Sequence, residues 1–201
     1  NSGVLNPPSR AEFAGWNPYF DMFSSRDMGK FDEILFWRQY DLSLSITHGV
    51  TIYIERGANT GLTKGFVDGF LMKNGLPIYA QGSEYKGDTF ITDLKENRDE
   101  RLQLFLFDED DPVHIKSDSA IFTAPLIINL QEVRDVTGYR SRKFMNYDPS
   151  EAPGSDLTAT AGSPIFRAAE AYLNYIEASY MKKGTIDAVA DRYWRALRTR
   201  A

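Results

Sequence analysis

The chain contains no cysteine. That removes disulfides, thiolate chemistry and cysteine-ligated metal. Histidine is nearly as scarce: the two are His48 and His114, and neither stands in an H-E-x-x-H arrangement. No G-x-S-x-G elbow is present. The glycine-bearing stretch at 57–64, GANTGLTK, fails the spacing of a phosphate loop. No apolar run approaches the ~20 residues needed to cross a bilayer. The opening NSGVLNPPSR lacks the pattern of a secretory signal. Positive charge is in deficit as well. With a net charge of −5 there is no basic stripe for phosphates to follow, which argues against a nucleic-acid partner. These absences point away from an enzyme, and no cofactor is expected.

What is present is a soluble-protein composition: 201 residues, 42% hydrophobic and 25% charged, long enough for one substantial core. Aromatics reach 13%, more than a core of this size demands. The clearest segment is Ser163–Ala201, which reads as a helical hairpin. Ser163 is placed to cap the first helix and Pro164 to occupy its first position. Ile165, Ala169, Tyr172, Ile176 and Tyr180 form one apolar stripe, widened by Phe166 and Leu173. Lys182, Lys183 and Gly184 mark its end. Thr185 is the expected cap of a second helix, with Asp187 in its first turn. Ile186, Val189, Ala190, Tyr193 and Leu197 are then expected to face the first helix. Trp37, in a strand, and Trp194, on a helix, are assigned to packing.

Upstream, the pattern predicts a short helix within 10–23 broken at Asn17-Pro18, and strands over 33–40 and 52–55. A loop is expected at 57–65, a helix at 63–74 ending at Gly75, a loop at 77–88 and a helix at 90–97. Strands are expected at 102–108 and 138–145, an apolar extended run at 122–130, and a loop at 148–161. The fold class is therefore mainly α with small strands and long loops, α+β in this chain. One overall domain is expected, its loop-rich part at 1–162 and its hairpin at 163–201.

Four stretches, with Arg167, Glu170, Tyr172 and Tyr175 in the hairpin, Gly75, Pro77, Arg98 and Asp99 upstream, and the segments 138–147 and 32–40, together resemble the SusD/RagB family of Bacteroidetes outer-membrane lipoproteins. The hairpin carries Arg167, Ala169, Glu170, Tyr172, Leu173, Tyr175, Glu177 and Ala178, then Arg198, Arg200 and Ala201, similar to the family's last tetratricopeptide-like repeat. Asn74, Gly75, Pro77 and Ile78, followed by Arg98, Asp99, Arg101 and Leu102, resemble its "G-x-P-I … R-D-x-R-L" sequence. The stretches 138–147 and 32–40 resemble two of its strands, with Asp32 where Ser or Asn is usual. The resemblance implies a non-catalytic protein that binds an oligosaccharide at the cell surface and delivers it to a SusC-like TonB-dependent transporter. It further implies an outer-membrane location through a lipidated cysteine upstream of these motifs. Since the family is longer, the chain reads as an internal or C-terminal fragment, expected to expose apolar surface on its hairpin.

Sugars are held by aromatic faces with hydrogen-bonding groups beside them. Two loop-like clusters offer that mixture: Trp16, Asn17, Tyr19, Phe20 and Asp21, and His48, Tyr53, Glu55, Arg56 and Asn59. Trp16, Tyr19, His48, Tyr53 and Arg56 are the candidate glycan contacts. The run Asp108-Glu109-Asp110-Asp111 lacks the spacing of a calcium loop and reads as a solvated turn, so no metal is expected. Asp99, between Arg98 and Arg101, reads as a structural ion-pair knot. Two rivals remain: a repeat-type protein-interaction scaffold, and a glycoside hydrolase, whose paired carboxylates are defined by a distance that sequence does not give.

Overall fold

The computed structural model describes residues 18–50, 61–108, 137–144 and 158–200. The expected strand at 52–55 and apolar run at 122–130, and most of the acidic turn and of the 148–161 loop, lie outside them. Among the described residues there are six α-helices and one two-stranded sheet, so the fold is mixed and helix-rich, as expected. No helix among them is long and apolar enough to cross a membrane. The chain divides into two compact units, Asn1–Tyr40 with Ala161–Ala201, and Asp41–Thr160.

In the first unit, helix α1 (Pro18–Ser24) opens on the proline, whose missing N–H costs nothing at a first helical position. Phe20, Met22 and Phe23 from α1 are buried, as are Met28, Phe31 and Ile34 beyond it. Strand β1 (Ile34–Arg38) pairs antiparallel with β2 (Ser163–Arg167), Ile34 opposite Arg167 and Trp37 opposite Pro164. Ser163 and Pro164 therefore do not start a helix. Ile165 and Phe166 are strand formers with a partner available in β1, and tertiary pairing overrides the local cap signal. Pro164 is tolerated because a two-stranded sheet has only edges. Gly162 precedes β2, and a methyl there would meet Met28 Cγ at 2.8 Å and Trp37 Cε3 at 2.9 Å. Trp37 is thus a packing residue, as expected.

Helix α5 (Ala168–Lys183) follows β2 directly and stops at Gly184, whose left-handed φ of 69° lets its N–H reach the Tyr180 carbonyl at 2.7 Å. Helix α6 (Ala188–Arg200) completes the hairpin. Ala169, Ile176, Ser179 and Ala190 are buried between them. The Tyr172 ring stacks on Tyr193 with centroids 4.1 Å apart, and Tyr175 meets Tyr193 edge-on at 5.5 Å. Four inward assignments fail: Ile165, Leu173, Tyr180 and Ile186 are exposed. Trp194, assigned to packing, is 46% exposed, because it follows Tyr193 and points off the face that Tyr193 occupies.

The second helix is capped by Asp187 rather than Thr185. Its Oδ1 accepts from the N–H groups of Val189 (3.1 Å) and Ala190 (2.9 Å), while Oδ2 accepts from Lys183 Nζ and Ser179 Oγ. The Ala190 N–H first, then Lys183 and Ser179, hold this carboxyl well below its ordinary value near 3.8. The folded state therefore binds a proton less readily than the unfolded chain. Stability from this cap is present at neutral pH and is lost as pH falls below about 4. Asp187→Asn is expected to lower Tm by about 2–4 °C at pH 7. The gap to the unsubstituted protein should shrink when the melts are repeated at pH 3; a gap that stays constant would remove the ionised cap from the account.

The second unit is built on Val67, Leu94, Leu102 and Leu106, with Leu62, Phe70, Ile91 and Tyr139 packed around them. Helix α2 (Lys64–Asp68) is capped by Thr63 Oγ1, which accepts from Phe66 N–H at 3.2 Å. It is shorter than the 63–74 span predicted, ending at Gly69, with Gly75 at φ 84° turning the chain beyond. Helix α3 (Ile91–Lys95) lies where a helix was expected. Helix α4 (Glu100–Phe105) replaces the strand expected at 102–108. Asp99 Oδ1 caps it by accepting from Arg101 N–H at 2.9 Å. Leu102 and Leu106, four residues apart, then fall on one face, and both are buried. The strand expected at 138–145 is reduced, over 137–144, to one bridge, Leu106 with Ser141. Positive φ at Gly138 (77°) and Phe144 (69°) interrupts extended backbone on both sides.

Candidate functional site

Of the five candidate glycan contacts, Tyr19 and His48 are described, each in its own unit. Trp16, Tyr53 and Arg56 lie outside the described residues. Tyr19 belongs to the first unit. Its ring carries the Arg200 guanidinium at 4.5 Å and meets Phe23 edge-on at 5.3 Å, and its hydroxyl lies 3.5 Å from Arg167 Nη1. His48 belongs to the second unit. Its backbone bridges Ala159 in both directions, and its Nδ1 accepts from Val50 N–H at 3.1 Å.

Tyr19 borders a buried charge cluster. The Glu33 carboxylate, fully buried, receives Arg167 Nη1 at 3.0 Å on one oxygen and Arg200 Nη1 at 2.6 Å on the other. Arg167 lies over Phe23, and the Glu33 carbonyl accepts from Ala168 N–H at 2.8 Å. One carboxylate thus ties the loop before β1 to both ends of the hairpin. Both Glu33 oxygens have a guanidinium partner, while the buried Arg200 Nε has none among the described residues; the pairing suits the cluster to holding the unit together.

Of the expected ion-pair knot at 98–101, one half forms: Asp99 pairs with Arg101, while Arg98 turns to backbone carbonyls. Arg101 grips Asp99 through Nε (2.9 Å) and Nη2 (2.6 Å). Arg98 is fully buried and donates to the carbonyls of Val67 (2.8 Å), Phe70 (2.8 Å) and Leu94 (3.4 Å). Of the acidic run only Asp108 is described. It accepts from Thr92 Oγ1 and pairs with Lys95 Nζ. Among the described residues no group of carboxylates or histidines could hold a metal ion.

One open arrangement in the second unit was missed from sequence. Lys64 Nζ pairs with Asp88 at 2.7 Å and with Asp68 at 3.2 Å. The bond from Lys64 holds the Asp88 carboxyl below its ordinary range, and in return Asp88 holds the ammonium above its own. Two residues beyond Lys64 stands Phe66, 56% exposed; two residues beyond Asp88 stands Phe90, 67% exposed. The matching charge-x-Phe spacings, Lys64-Gly65-Phe66 and Asp88-Thr89-Phe90, were the available signal. Phe66 lies off the helix face that carries Lys64 and Asp68, and its ring meets Phe70 edge-on at 5.3 Å. The ion cluster presents no nucleophile set against a base.

Strand, hairpin and arginine knot together define a helix-rich scaffold closed by a repeat-like hairpin. Residues 36–201 match the SusD family, and the chain belongs to that family. Arg167 and Arg200, quoted above from its hairpin phrase, are the residues that converge on Glu33. Two solved structures from Bacteroides fragilis NCTC 9343 are similar over nearly all of this chain. One is a SusD-like protein, 22% identical, TM-score 0.62, matched over 91% of this chain and 38% of its own. The other is a SusD-like carbohydrate binding protein, 18% identical, TM-score 0.61, matched over 90% of this chain and 36% of its own. The chain thus spans less than two fifths of the length of these structures. No curated protein matches it.

Proposed function

We propose that this protein is a non-catalytic glycan-binding component of an outer-membrane uptake system. It holds an oligosaccharide at the cell surface and delivers it to a SusC-like TonB-dependent transporter, anchored there as a lipoprotein. Membership of the SusD family over residues 36–201 carries this reading. The name of one structural neighbour, a carbohydrate binding protein, supports it. Exposed aromatics beside charged side chains are compatible with it, since sugar rings present apolar C–H faces and hydroxyl edges to such groups.

The test is an isothermal titration screen of neutral and acidic oligosaccharides, with chromatography of the same mixtures after long incubation. Saturable binding with the sugar recovered intact is the expected result. Shortened products, lost on replacement of one carboxylate, would make the protein a glycoside hydrolase. Absence of binding to every glycan would leave a protein-interaction scaffold.

A further inference from the structure

We propose that Asn74, followed by Gly75, is a site of spontaneous deamidation that the folded second unit holds in check. The pair is the chain's single Asn-Gly step. The inference is independent of the glycan-binding reading. Its chemistry is intramolecular and needs only water as co-reactant. The Gly75 backbone nitrogen attacks Cγ, the carbonyl carbon of the Asn74 side chain. An N–Cγ bond forms, and Nδ2 leaves as ammonia with the proton of the Gly75 N–H. Water then opens the five-membered imide. Cleavage of the new N–Cγ bond gives aspartate; cleavage on the main-chain side gives isoaspartate. Glycine favours the first step because no side chain hinders the approach of its nitrogen.

Asn74 is exposed, so water reaches it. Three hydrogen bonds oppose ring closure. Oδ1 of Asn74 accepts from Leu76 N–H at 3.0 Å, and Nδ2 donates to the Gly82 carbonyl at 3.1 Å. Gly75 N–H donates to the Met72 carbonyl at 2.8 Å, with Gly75 at φ 84°. The first two pin the amide as an Asx-type turn. The third pins the peptide plane that carries the nucleophile. Ring closure needs both released. The turn is also anchored from below. Met72 is buried, its N–H donates to the Leu76 carbonyl at 2.9 Å, and Lys73 N–H donates to the Asn97 carbonyl at 2.7 Å. The reaction therefore passes through local opening of this loop, and its rate reports that opening.

Either product damages the turn. Aspartate at position 74 keeps an acceptor for Leu76 N–H, but it turns an oxygen towards the Gly82 carbonyl where Nδ2 had donated. Isoaspartate lengthens the main chain by a methylene inside a turn closed by the Met72–Gly75 and Met72–Leu76 bonds.

The test incubates the intact chain and a synthetic peptide of residues 70–79 in one mildly alkaline buffer. Conversion of Asn74 is followed by peptide mapping, with aspartate and isoaspartate separated by chromatography. Conversion in the folded chain should run at least about tenfold slower than in the peptide, because opening breaks three hydrogen bonds together. In urea that unfolds the second unit, the chain should convert as fast as the peptide does in the same urea. Asn74→Asp, which installs one product, should lower Tm by about 2–4 °C, the shift that goes with one lost hydrogen bond. Equal rates in the folded chain and the peptide would overturn the restraint by the fold. No conversion in the unfolded chain would overturn the site itself. An unchanged Tm for Asn74→Asp would overturn the damage assigned to that product.

Discussion

Glu33→Ala is expected to destabilise the first unit by about 3–5 kcal/mol in urea unfolding, the range for removing one partner from a buried ion pair. Glu33 is fully buried, whereas Arg167 keeps 25% and Arg200 12% of its side-chain surface. With the carboxylate gone, two guanidinium groups face each other over the rings of Phe23 and Tyr19 with no counter-charge between them. Glu33→Gln should lose most of the same energy, since it keeps the shape and removes the charge. A double cycle with Arg200→Met should be strongly less than additive, because the two substitutions delete the same interaction. A loss below about 1 kcal/mol for Glu33→Ala would mean that water enters and solvates both arginines, and the triad would then be ordinary surface electrostatics. A fully apolar replacement of Glu33, Arg167 and Arg200 could match the native stability. The cluster's role would then be to specify which chain segments meet.

That role explains why part of this fold was legible in sequence and part was not. The hairpin's end at Gly184 and the knot at Asp99 are local: each needs a residue type and its neighbours within one turn. The start of the hairpin is not local. Ser163 and Pro164 carry a correct helix-start signal, yet the segment is a strand because β1, about 130 residues earlier, offers a backbone partner. Residues 102–106 misled for a different reason. Leu102, Leu104 and Leu106 alternate as in a strand, while Leu102 and Leu106 share a helix face; both periods fit so short a run. The Asp99 cap, not the apolar pattern, decides between them.

The candidate site shows the same division. Counting aromatics drew notice to Trp16 and Tyr53, which lie outside the described residues, and to Tyr19, whose ring and hydroxyl serve the Glu33 cluster. The Lys64–Asp88 pair joins residues 24 positions apart, a contact that no local pattern announces. The i,i+4 pair Lys64 and Asp68 was visible in sequence, but the third member was not.

Arg98 lies in the core of the second unit, and its replacement is expected to have the largest effect there. The guanidinium sits at 0% exposure and donates to carbonyls near the ends of two short helices, Val67 and Phe70 from α2 and its exit, Leu94 from α3. Its own backbone bridges Met72, and its carbonyl accepts from Gln103 Nε2 at 3.2 Å. Arg98→Met fills much of the volume but strands those carbonyls in a dry core, at about 1–3 kcal/mol for each one left without a donor. A total loss of about 3 kcal/mol is expected in urea unfolding, allowing for the other donors that reach the Val67 carbonyl. Arg98→Lys should recover less than half of it, since one ammonium cannot reach carbonyl acceptors on two separate helices. Full recovery by lysine would show that charge alone matters there and that the fork does not.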